Sequence, residues 1–530
     1  MSLVSVSSDG KALPEPYVYS DVLADAQGAN FKPSRITHIN DEDAKTYLTK
    51  LSQLGNFQDP DALYNSMFYQ LAGASTGIDQ GLGAFADANW VYPGPTTSLK
   101  FANGTTRTYD NFAKVLVPFT NITDGSSLYK YWFNCENRLS QLHAPTIWGP
   151  FAASGFPNPV VRQKDNAVGG YYLKGDHSDT AVLSMPTFGN IYTQPDVQKT
   201  VVKFLAQAKA DGKKKLIIDF QNNNDRNGDV LLAYDLYELL FPKNKDQPLL
   251  QRYRAFESTI LLNNATSNAA HNFPRVATSD DAVTQTLNTY IFSTSLDYQT
   301  DVDANGKPFP NWQARIGPGA KQKGDEFTNL FRLNFDDVLL GARISNTAVK
   351  VHGYGPLANW KGTQPFAAED IAVVTDGTCG AACAIASEML RQRQNIKFLT
   401  VGGRPRPGPM QHIGSSRGAL NWNIGYIQQY VEYMVSGGDN TVALNATELN
   451  QYWATMPMDR VALNTNATIN FHDSLRDGDE AQVPLQFWYE TSDCRILHTK
   501  KMTVDISSLW TAVADSAFGK QSHCIAGKIN

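Results

Sequence analysis

The sequence predicts an α/β fold: a mixed, largely parallel sheet built from βαβ units, with accessory regions before and after it. Two stretches carry this prediction, a strand–helix–strand–helix run over residues 181–241 and a strand–helix–strand run over 370–403. A third observation is a change of texture near residue 178, before which Tyr, Thr, Asn and Pro are abundant and the pattern reads as strands and loops. At 530 residues, with 42% hydrophobic and 11% aromatic side chains, the chain has the apolar surface to fold. About 150 residues per domain gives two to four domains.

Taken in order, residues 35–70 open with an alternating strand (Ile36, His38, Ile39). A helix follows, with Ala44, Tyr47, Leu48 and Leu51 at i, i+3, i+4, i+7 spacing. Asn40 or Asp41 is its expected N-cap, with Asp43 placed to favour the helix dipole. AVLSMPTF (181–188) is the next strand. Val197, Val201, Phe204, Leu205 and Ala208 then mark a helix that Gly212 ends. KKKLIIDF (213–220) reads as a buried strand, QNNNDRNGD as a polar loop and 230–241 as a helix stopped by Pro242. Residues 250–365 read as irregular insertion rather than core. The second unit is DIAVVTDG (370–377), a helix from Ala381 to Gln394, and IKFLTVGG (396–403). The expected division is 1–175, 176–425 and 426–530.

The net charge is −5, from 46 basic and 51 acidic residues. Without a basic cluster this argues against a nucleic-acid partner held through phosphates. No window reaches the ~18 apolar residues of a membrane span. Five sequons, at Asn103, Asn121, Asn264, Asn445 and Asn466, predict N-glycosylation in loops and passage through the secretory pathway. The five cysteines are too few for a disulfide scaffold and odd in number. Cys379 with Cys383 and Cys494 with Cys524 are candidate bridges, with connectivity left open. The opening MSLVSVSSDG is not a signal peptide. A secreted character, an odd cysteine and no leader together predict an N-terminal portion outside this sequence.

The strand–turn–helix at 370–390 is the best place for chemistry, because sites in parallel sheets lie beyond the carboxyl ends of strands. A helix N-terminus there offers free N–H groups and a positive dipole end. In VVTDGTCGAACAIASEML a serine at the helix start would be a nucleophile beside ready oxyanion donors, but the residues are Ala381 and Ala382.

Several segments together identify a family. They are VSVSSDGKALP, ITHINDEDAKTYL with DPDALYN, KKLIIDFQ…NGDVLLAYD, VVTDGTCG…SEML, VGGRPRPGPMQHIG and PLQFWYETSDCRILHT. In this order the chain resembles the secreted fungal branch of the tail-specific (C-terminal processing) serine peptidases, the branch similar to the chlamydial protease-like activity factor. The resemblance implies a PDZ-like module within 1–175, a protease-like domain over 176–425, a C-terminal accessory region, extended peptides or proteins as substrates or ligands, and no cofactor. Its D-G-x-C-x-S pattern places the nucleophilic serine at Ala381. Relatives of the Ser–Lys type carry a lysine one βα unit later, where this chain has Arg404 and Arg406. A guanidinium is a poor base. Relatives of the chlamydial type use a histidine upstream of VSVSSDG. The oxyanion loop after LIID has Gly228 as its one glycine, so Gly228 and Ala382 are the oxyanion-hole candidates. A replaced serine would explain Ala381 but not the altered loop, so an inactive relative and an altered active one both stay open.

Weaker signals read as structure. Gly414-Ser415-Ser416-Arg417-Gly418 matches G-x-S-x-G but lacks the strand and helix that motif needs. Asp301-x-Asp303-x-Asn305-Gly306 opens like a calcium loop and fails at Pro308 and Trp312. His143, His177, His271 and His412 show no metal spacing, though His412 could line the cleft. Glu490 or Asp493 could orient a base.

Overall fold

The computed structural model describes the chain apart from residues 77–80, 88–90, 114–118, 131–153, 190–192, 225–228, 245, 342–348, 419, 437–448, 451–467 and 530. The N-terminal region begins with an antiparallel pair, β1 (Leu3–Val6) and β2 (Glu15–Val18), and helix α1 (Tyr19–Ala26). Strand β3 (Ile36–Ile39) turns into β4 (Glu42–Asp43) and helix α2 (Ala44–Ser52). Asn40 and Asp41, the expected caps, are instead the left-handed residues of that turn, at φ 50° and 67°. A tight hairpin needs positive φ there, and short polar side chains tolerate it best after glycine. The cap therefore falls to Asp43, whose carboxylate accepts the Thr46 N–H at 3.0 Å. Helix α3 (Pro60–Asn65) and the hairpin β5 (Thr96–Phe101) and β6 (Thr106–Asp110) follow. The sheet β4-β3-β5-β6 closes over Leu3, Ile36, Ile39, Leu48, Tyr64 and Leu99.

The central sheet starts with β7 (Val161–Arg162), β8 (Gly169–Tyr172) and β9 (Thr180–Ser184). Helix α4 (Gln194–Ala210), β10 (Lys215–Asp219) and helix α5 (Val230–Leu240) come next, close to the sequence expectation. The stretch 250–365 is more than irregular insertion. It supplies β11 (Leu250–Tyr253), α6 (Glu257–Ala270), α7 (Ala282–Tyr290), β12 (Asp301–Asp303) and β13 (Phe331–Leu333). Its many Asn and Thr residues sit inside helices and bond backward, as Thr266 does to the Leu262 carbonyl at 2.8 Å, which masked the helical pattern.

The chain then returns through β14 (Ile371–Thr375), α8 (Ala381–Gln394) and β15 (Lys397–Val401). Helix α9 (Ile424–Ser436), β16 (His472–Leu475), β17 (Cys494–Ile496), α10 (Ile506–Ala517) and β18 (Ala526–Gly527) complete it. The eight-stranded order is β18-β17-β15-β14-β10-β9-β8-β7, parallel from β9 to β17 and antiparallel at both edges. It draws strands from all three stretches expected as separate regions, so the boundaries at 175/176 and 425/426 divide the chain but not this sheet. A four-stranded antiparallel sheet, β12-β13-β11-β16, stands apart from it, and Leu262, Leu287 and Met434 share a separate helical core.

Both faces of the parallel strands are buried, with period-two alternation. Leu216, Ile218, Ile371 and Val373 join the core under α4, α5 and α8, while Ile217, Ala372 and Val374 join that of α10 around Trp510. The rigid layer places the β10 and β14 ends side by side, which is where the candidate site lies.

Candidate functional site

Strand β14 ends at Thr375, and Asp376-Gly377 turns the chain toward α8 with Gly377 at φ 82°. Asp376 is buried. It accepts the N–H (3.0 Å) and hydroxyl (2.7 Å) of Thr378 and the Asn222 N–H at 2.9 Å, so it knits the turn to the loop after β10. Burial raises its pKa despite those bonds. Asp219, at the end of β10, is pushed up to about 6 by burial and is held by Gln221 and by the Trp510 indole at 2.7 Å. Both carboxylates therefore act as braces.

Gly380 is the N-cap of α8, with no side chain capping the terminus, and its N–H donates to Asn223 O at 3.0 Å. Ala381 follows, exposed and at φ 43°. A non-glycine residue held there marks a turn that the surroundings over-determine. Ala382 behind it is buried. Cys379 and Cys383 are bridged across this turn (Cα–Cα 5.4 Å), and Cys494 and Cys524 are bridged at the sheet edge (5.2 Å). Gly228 lies outside the described residues.

Several groups that could have served as a base or nucleophile have other partners. The Ser415 hydroxyl, in the G-x-S-x-G match, donates to the Cys379 carbonyl at 2.6 Å. Arg404 and Arg406 both reach Asp61 on α3, at 3.0 and 2.5 Å. Glu490 accepts Arg417 and Arg476, at 2.8 and 3.0 Å, and Asp493 accepts Arg391 at 2.8 Å. Burial works to raise the Glu490 pKa, but Arg417, His412 and Arg476 hold it down to about 2. His412 is fully buried against Phe398, its ring nitrogens without hydrogen-bond partners among the described residues, and burial drives it down to about 3. It lines no cleft. His177 bonds Asp515, and His271 packs near Tyr298. His143 lies outside the described residues. Asp301 is paired with the buried Arg315 at 2.9 Å, and Asp303 closes its turn through the Asn305 and Lys307 N–H groups. Among the described residues no group of three His, Cys, Asp or Glu could hold a metal ion.

Sequence reasoning missed Asp61 and Asn65 on α3, which fasten the N-terminal region to this site. The Asn65 amide donates to the carbonyls of Asp376 (2.7 Å) and Val401 (2.9 Å) and accepts the Gly403 N–H at 2.7 Å. Gly402 must be glycine, since a Cβ there would lie 2.4 Å from the Asn65 carboxamide oxygen and its φ is 83°. Gly414 accepts the N–H groups of Gln58 and Asp59 and donates to Gly377 O at 2.7 Å. Below, the buried Arg495 donates to the carbonyls of Gly402, Arg404, Arg406 and Gly408. Asp61 and Asn65 stand four apart on one helix face, the single signal the sequence offered.

Residues 1–120 match the family model of the CPAF-like PDZ domain. The chain is 30% identical over 490 residues to the peptidase S41 family protein ustP of Aspergillus flavus, covering 87% of this chain and 96% of that protein. It is 29% identical to the peptidase S41 family protein phomP1 of Diaporthe leptostromiformis, covering 98% and 81%. Among solved structures, mature CPAF complexed with lactacystin aligns with a TM-score of 0.46 at 12% identity, over 98% of this chain and 84% of that one. The chain belongs to the peptidase S41 family, the tail-specific proteases, and carries a CPAF-like PDZ module at its N-terminal end.

Proposed function

We propose that this chain is a secreted member of the peptidase S41 family that binds extended peptides or proteins without cleaving them. The observation that carries the reading is Ala381: a methyl group heads α8 where acyl transfer calls for a nucleophile. The commitment of Ser415 to Cys379 O, of Arg404 and Arg406 to Asp61, and of Glu490 to arginines supports it, because none of these is available to activate a neighbour. The exposed edge strand β6 is one place where an extended peptide could add by backbone pairing.

The test compares the native chain with Ala381→Ser. Both are mixed with a fluorophosphonate probe and an unstructured protein substrate, and peptide binding is followed by fluorescence anisotropy. Binding without labelling or turnover by the native chain is expected, with little or no gain in the serine variant. Hydrolysis by the native chain would sink the reading.

A further inference from the structure

Asn103 sits at the tip of the β5–β6 hairpin, in the turn closed by Phe101 N–H on Thr105 O at 2.9 Å and Gly104 N–H on Phe101 O at 3.0 Å. The residue is exposed, and Gly104, at φ 85°, has open space around it. The Asn103 side-chain carbonyl accepts both the N–H (3.1 Å) and the hydroxyl (2.8 Å) of Thr105. Its own N–H donates to Ser34 Oγ at 3.1 Å. Among the described residues nothing takes the hydrogens of the Asn103 amide nitrogen. The sequon is therefore folded on itself by contacts two residues apart, on an exposed residue.

The Asn264 sequon is arranged differently, and not in the loop the sequence suggested. It lies inside α6, half-buried, with its side-chain oxygen accepting the Asn268 amide at 2.7 Å. Its partner Thr266 is fully buried and bonds backward to Leu262 O. That hydroxyl points away from its asparagine. Asn121 is exposed at φ 68°, while Asn445 and Asn466 lie outside the described residues.

We propose that Asn103 is an N-glycosylation site, taking a glycan from a lipid-linked oligosaccharyl pyrophosphate. The Asn103 amide nitrogen forms the bond to the sugar C1 while the C1–oxygen bond to pyrophosphate breaks. The lipid pyrophosphate leaves with the electron pair, and the amide proton passes to a base of the transferase. The Thr105 hydroxyl on the carbonyl oxygen favours this by stabilising charge as the nitrogen gives up its proton. Because the turn is local, it can form in the nascent chain, when transfer occurs. The glycan then stands at the tip of the β5–β6 hairpin, beyond the end of the strand pairing.

The proposal rests on the secretory half of the reading above and not on the absence of cleavage. The full chain, placed behind a cleavable leader, is translated into endoplasmic-reticulum microsomes, and protease-protected product is digested with N-glycanase in heavy-oxygen water. Peptide mapping should find the heavy aspartate at position 103, at higher occupancy than at 264, and Thr105→Val should abolish it. Recovery of the 103 peptide unmodified from protected chain, or greater occupancy at 264, overturns the proposal. Neither result touches the turnover assay, so the two failures are distinguishable.

Discussion

Ala381 holds a backbone conformation that disfavours any L-residue with a Cβ by roughly 1–2 kcal/mol. Ala381→Gly should therefore raise stability by about 1 kcal/mol in urea unfolding, although glycine is a poorer helix former. A second residue-scale effect comes from His412. Its folded-state pKa of about 3 lies below the ordinary 6.5, so the unfolded chain binds the proton first. The linkage sign follows: stability is full above pH 6.5 and falls as pH drops toward 3. Glu490, held down to about 2 from 4.5, extends the same loss between pH 4.5 and 2. His412→Leu should flatten the upper part of this acid limb and leave neutral stability equal or up to ~2 kcal/mol higher, since two buried nitrogens without partners among the described residues disappear. Denaturant midpoints measured from pH 7.5 to 3.5 check both statements, and a steeper limb in the leucine variant would contradict them.

The two disulfides act on different elements and on loops of different length. Cys379–Cys383 closes 4 residues over the head of α8, and Cys494–Cys524 closes 30 around α10, tying the chain end to β17. Loop-entropy scaling gives about 2 kcal/mol for the first and about 4 kcal/mol for the second. Paired Cys→Ala variants should follow that order in thermal melts, with the 494/524 pair the more damaging. Helix α3 shows a different kind of leverage. It spans only Pro60–Asn65, too short to be stable alone, yet its polar side chains order two loops of the central sheet, those after β14 and β15.

The PDZ-like module is consequently fastened to the protease-like sheet rather than tethered beside it. Asn65→Ala would leave the Gly403 N–H and the Asp376 and Val401 carbonyls without their partner, at a cost of about 3 kcal/mol. Hydrogen exchange should then accelerate together in residues 60–66, 376–380 and 402–408. Acceleration confined to 60–66 would mean that the docking contact does not order the turn. The same contact explains Arg404 and Arg406. They stand where a basic residue is expected from the family, but Asp61, a buried carboxylate whose pKa is lowered, holds both. Burial opposes that shift, and the two guanidiniums overcome it.

The parallel core was legible because its strands and helices announce themselves by apolar period: β9, β10, β14, β15, α4, α5 and α8 all fall within a few residues of their expected ranges. The strand–turn–helix around Ala381 was legible too, through glycines and a helix start set close together. What the pattern could not disclose were contacts between residues far apart in the chain. Period and turn chemistry are local properties of the chain. Asp61 on Arg404, Asn65 on Asp376 and Cys494–Ile496 beside Lys397–Val401 exist only once the chain has closed on itself. The sequence by itself determined the parallel α/β core and the alanine at the head of α8. Only the tertiary structure decided that the neighbouring serine, arginines and glutamate are engaged elsewhere, because hydrogen-bond partners are chosen by proximity in space.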